Sequence, residues 1–82
     1  MKKQSILLID WIDSCGDNGW QYTADCEPRI LICQTVGFLV KETKEAYLMA
    51  LNRATEEGFK PYGDLITIPK IAVKKIKKVM VI

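Results

Sequence analysis

The chain has 82 residues, a net charge of +2, 49% hydrophobic and 27% charged residues, and no histidine. A chain this short is one domain, burying only about 60–65% of the surface it exposes unfolded, so its core needs reinforcement. Without imidazole, Ser-His-Asp and Cys-His catalysis are excluded, and so is the commonest metal ligand.

In chain order, Ser5 to Ile12 reads as a strand, first continuously apolar and then alternating around Asp10 and Trp11. "DSCGDNG", residues 13–19, is dense in turn formers, and Trp20 to Thr23 reads as a second strand or a return limb. Arg29 to Lys41 is the clearest strand. Ile30, Ile32, Val36, Phe38 and Val40 share one parity, with Gln34 the polar exception. Gly37 inside it marks a bulge, a bend or the close approach of another backbone. A strand this long in so small a domain must curl, which suggests a small barrel.

Residues 42–57 allow two readings. Tyr47, Ala50, Leu51 and Ala54 fall on one helical face, with Gly58 as a stop, giving an α+β alternative with a helix at 44–57. The rival is a hairpin: "ETKE" as the turn, then Ala46 to Leu51 as a strand buried on both faces. Propensity alone favours the helix. Residues 56–64 form a loop, and Leu65 to Ile68 a short strand whose ladder Pro69 ends. In the last segment Ile71, Val73, Val79 and Val81 share a parity and Ile76 is out of step; a short helical turn after "IPK" would explain the slip.

Cys15, Cys26 and Cys33 are odd in number and spaced eleven and seven apart, unlike a disulfide framework or a zinc knuckle. They read as small buried or half-buried thiols, which leaves self-association as the expected reinforcement. No apolar run approaches the roughly 18–20 residues that span a bilayer. "MKKQSILLID" imitates a signal peptide only until Asp10, so a cytoplasmic protein with no membrane partner is expected. Residues 1–41 carry four basic and five acidic groups, residues 42–82 eight and five, and the last thirteen residues hold five lysines and no acid. That end either attracts an anion or is a solvated, lysine-edged strand that discourages edge-to-edge aggregation.

At "IDSCGDNGW", "TVGFLV" and "ITIPKIAVKKI" the chain resembles small, mostly uncharacterised proteins of phages and prophages, which share W-x-D-S…G-W, T-V-G-[FW]-L-V and I-P-x-x-A-[IV] blocks in this order. The blocks cover about a third of the chain. The resemblance implies a mostly β fold: a single five-stranded SH3-like or Sm-like barrel with a short helical turn before the last strand. It favours the hairpin over the helix for residues 42–51. An Sm-type RNA-binding motif is absent, and nucleic acid is not the expected partner.

Asp10 and Asp13 point to opposite faces of a strand, while Asp13 and Asp17 can converge across the turn. Two acids in a glycine-rich turn are far more often capping groups than an acid–base pair. The turn lacks the late acid of a calcium loop, and no phosphate-loop or dinucleotide signature occurs. The expected protein is therefore a non-enzymatic binder without a cofactor or metal. Trp11 and Trp20 flank the turn, and Trp20 is the better stacking face. Tyr22, Tyr47 and Tyr62 add amphipathic rings. Asp13, Ser14, Asn18 and Thr35 offer hydrogen bonds, and Lys41 and Lys70 point charges for a phosphate. Together with the phage resemblance, these imply a homo-oligomer in the host cytoplasm that sequesters a small anionic, nucleotide-derived ligand in counter-defence. The alternatives are a module that inhibits or adapts a host protein, and a weak nucleic-acid binder.

Overall fold

The computed structural model describes residues 3–14, 19–55 and 61–82. Five antiparallel strands follow one another: β1 Ser5–Asp13, β2 Leu31–Glu42, β3 Ala46–Arg53, β4 Tyr62–Pro69 and β5 Val73–Val81. Two 3-10 turns, Thr23–Asp25 and Lys70–Ala72, lie before β2 and before β5. Among the described residues there is no α-helix, and no helix long and apolar enough to cross a membrane. The strands form one open sheet in the order β4-β3-β2-β1-β5, so β4 and β5 are its edges.

Among the described residues the helix considered for 44–57 is not formed; β3, Ala46–Arg53, runs through its middle. Two local facts decide this. The Thr43 hydroxyl accepts the backbone N–H groups of Ala46 (3.1 Å) and Glu45 (3.3 Å), and Thr43 N donates to the Ala46 carbonyl at 2.9 Å, which makes "ETKE" a tight turn. Met49 and Ala50, neighbours on opposite faces of the strand, are both fully buried. Helix propensity is worth at most about 0.7 kcal/mol per ordinary residue. Burying a methionine-sized side chain is worth about 1.5–3 kcal/mol, so tertiary packing wins.

Other boundaries also move. Trp20 to Thr23 is not a strand; the chain turns there, with Asp25 N donating to Tyr22 O at 2.9 Å. β4 is longer than Leu65–Ile68 and includes Pro69 opposite Ala46, a position an edge strand tolerates. The 3-10 turn at Lys70–Ala72 ends before Val73, so it does not cause the slip at Ile76. Trp11 pairs with Val73 and Asp10 with Lys75, which leaves Lys74 as an extra residue. That bulge resets the parity and brings Ile76 opposite Ile9.

The sheet is strongly curled. Leu7, Ile9 and Trp11 of β1 share a core with Met49 of β3 and Ile68 of β4. In a flat sheet β1 and β4 would lie about 14 Å apart, three strand spacings. Gly37 is where the bend is made. A Cβ placed there would lie 2.5 Å from the Ala50 carbonyl oxygen, a backbone atom that cannot swing aside. Close approach is thus the reason for this glycine. Before the bend β2 pairs with β1, from Leu31 to Phe38; after it β2 pairs with β3, from Phe38 to Glu42.

A candidate basic groove and an uncovered sheet face

The residue before β1 joins the curled sheet. Gln4 Nε2 donates to the Leu39 carbonyl (3.1 Å) at the bend of β2 and to the Tyr62 hydroxyl (2.7 Å) at the start of β4. Gln4 Oε1 accepts from Arg53 Nη1 at the end of β3. Its backbone exchanges two hydrogen bonds with Ile82, just past β5, at 2.7 and 2.8 Å. One residue therefore reaches β2, β3 and β4 through its side chain and the residue after β5 through its backbone.

A groove of about 490 Å³ opens beside this junction, lined among others by Lys3, Gln4, Lys41, Glu42, Arg53 and Tyr62. Glu42 is the one acid of this lining, and Lys70 Nζ holds it at 2.6 Å. The charge left facing the groove is positive, from Lys3, Lys41 and Arg53. Arg53 is oriented by Gln4 and by the Phe38 ring, whose centroid lies 5.0 Å from the guanidinium carbon. A groove with a held guanidinium, two solvated ammonium groups and a phenol can bind an oxyanion.

The residues expected from the sequence to form a site do not converge. Trp11 is a core residue, and its indole N–H donates to Thr35 Oγ1 at 2.9 Å. These two meet, but inside the sheet. Asp13 accepts the backbone N–H of Ser14 at 2.8 Å. Both lie at the end of β1 remote from Gln4, about 30 Å along the strand. Asn18, like Cys15 and Asp17, lies outside the described residues. Trp20 is 103% exposed on a segment, residues 19–30, with every residue exposed. Lys70 is engaged by Glu42 and sits 4.9 Å over the Tyr47 ring. Of the residues the sequence singled out, Lys41 and Tyr62 line the groove. Lys3, Gln4 and Arg53 were not legible as site residues. Gln4 meets its partners across 35 to 58 positions of sequence, and nothing local marks that encounter.

A second feature is the outward face of the β2-β1-β5 layer. Cross-strand partners share a face. Ile12 with Ile32, Leu8 with Val36, and Ile6 with Phe38 and Met80 lie on the side opposite the Leu7-Ile9-Trp11 core. Ile32 and Val36 are 55% and 52% exposed. The apolar parity of β2 points away from the core, which takes Cys33 and Leu39 instead. Asp10, Gln34 and Lys75 cross the middle of this face, with Gln34 Nε2 donating to Asp10 Oδ1 at 2.9 Å.

Among the described residues no group of cysteine and carboxylate side chains is arranged to hold a metal ion. No protein-family model, curated protein or solved structure matches the chain.

Proposed function

We propose that this chain is a non-enzymatic binding protein that assembles with copies of itself and holds a small anionic, nucleotide-derived ligand in the Lys3-Lys41-Arg53 groove. The carrying observation is the charge of that groove: its one carboxylate is neutralised by Lys70, and its guanidinium is held in place by Gln4 and Phe38. Tyr62 adds a ring and a hydroxyl at the rim. Closure of the curled sheet into an SH3-like or Sm-like barrel belongs to this reading. It draws support from the core shared by β1, β3 and β4, from the bend at Gly37 and from the Gln4 junction. The phage-type role, host-cytoplasmic sequestration of a defence signal, rests on the sequence resemblance alone.

The test is thermal unfolding with inorganic phosphate and a panel of mono-, di- and cyclic nucleotides. A ligand at about 100 times its Kd stabilises the folded state by about 2.7 kcal/mol, a readily measured rise in Tm. Lys41→Glu, which reverses an exposed charge, should abolish the rise without lowering the ligand-free Tm. A wild-type protein indifferent to the whole panel at millimolar concentration would refute the reading. A module that inhibits or adapts a host protein is the second reading, favoured by Trp20 and Tyr22 standing exposed on the 19–30 segment. Weak nucleic-acid binding through the β5 lysines would instead show as affinity falling steeply with salt.

A further inference from the structure

We infer that the outward face of the β2-β1-β5 layer is covered by the same face of a second copy of this chain. The inference gives the assembly named above a specific surface, and it stands or falls separately from the anion groove.

Three observations carry it. First, the parity of β2 richest in branched apolar residues is the one its own core leaves exposed. Val36 pairs with Leu8, and the next row on the same face is Phe38, Ile6 and Met80; Ile32 and Ile12 form a second apolar row beyond Asp10, Gln34 and Lys75. Exposed apolar rows on one sheet face mark an interaction site in a folded protein. Second, the accessible surface is 6886 Å². A compact monomer of this mass exposes about 5,000 Å². The excess, roughly 1,900 Å², exceeds the about 800 Å² that each partner loses in a standard interface, and it includes the wholly exposed residues 19–30. Third, the face carries charges of both signs. Asp10 lies at its centre, and Lys75 and Lys77 line the same shallow hollow of about 210 Å³. A two-fold interface sets a patch against its own copy, so the patch must complement itself. An acid beside two lysines meets that condition, whereas a face of one sign would repel its copy.

The experiment is native mass spectrometry with sedimentation equilibrium on the full chain and four variants, each checked by far-UV circular dichroism. Val36→Lys places a charge in the apolar centre and should weaken self-association roughly 30-fold or more, the size carried by a central interface position. Asp10→Lys makes the face wholly basic and should do the same. Ile71→Lys, exposed in the 3-10 turn before β5, and Lys41→Glu, in the groove, should remain assembled. Should Val36→Lys lose its β spectrum, Val36→Thr keeps the shape of the side chain and should still weaken assembly. A monomeric wild type overturns the inference. So does a wild type whose mass is unchanged by both face variants, or one that only Ile71→Lys dissociates. Lys41→Glu that loses anion binding yet stays assembled separates this interface from the groove.

Discussion

Gln4 sits outside every strand, yet its amide reaches β2, β3 and β4, and its backbone reaches the residue after β5. Gln4→Ala keeps the backbone pair with Ile82 and deletes three side-chain hydrogen bonds, one of them charge-assisted. A loss of about 1–3 kcal/mol is expected, because the Leu39 carbonyl and the Arg53 guanidinium lose a partner. Urea unfolding monitored by Trp11 fluorescence measures it, since the indole leaves a buried site. Gly37 is the complementary case, a residue defined by what it lacks. Gly37→Ala drives a methyl group against the Ala50 carbonyl. Overpacking of this kind costs about 1–3 kcal/mol, so thermal unfolding should shift down by roughly 5–20 °C.

At the scale of the strand, the bulges make the fold compatible with the sequence. Val40 is skipped between the Leu39–Met49 and Lys41–Leu48 pairs, and Lys74 between Val73 and Lys75. Deleting Lys74 would restore strict alternation and rotate the rest of β5, sending Ile76 from the side of Ile9 to the opposite face. The deletion should cost far more than Lys74→Ala, which keeps the bulge and should fall within about 0.5 kcal/mol of the native protein; denaturant midpoints of the two compare them. The same features explain how much could be read in advance. Alternation in residues 29–41, and the apolar run that opens β1 and then alternates around Asp10 and Trp11, located both strands, and of the three readings open at Gly37 a close approach is the one seen. The hairpin at 42–53 was not decided by propensity, because its burial on both faces depends on β2 and β4. The direction of β2 was hidden for a related reason: a period of two names two faces and does not say which one the core takes. The candidate site was the least legible part. Turn residues and tryptophans drew attention to the Asp13–Trp20 end, while the basic groove is assembled from residues 3, 41, 53 and 62.

The whole molecule measures 58 × 23 × 20 Å with a radius of gyration of 16.7 Å. A compact chain of this length would have a radius of about 12 Å. The elongation and the surface excess accompany a limb, residues 19–30, in which every residue is exposed, and the outward apolar parity of β2; in the self-association proposed above, that parity is what a second copy covers. β5 makes the point most plainly. All but its first residue are exposed, including Ile76, Val79 and Met80, although the strand is paired with β1 along its length. As an edge strand it pairs on one side only, and its residues on the outward face, Lys75, Lys77 and Met80, are the ones the proposed second copy would meet. Lysines on the same strand keep the isolated chain from pairing edge to edge without order.

Sedimentation equilibrium of the unmodified chain between about 1 and 100 µM tests this most directly, with the anion omitted so that assembly is read alone. A mass at a whole multiple of 9.3 kDa, dissociating only toward the low end of that range and accompanied by a β-type circular dichroism spectrum, is the expected result. A single species of 9.3 kDa at every concentration, still cooperatively folded, would contradict it.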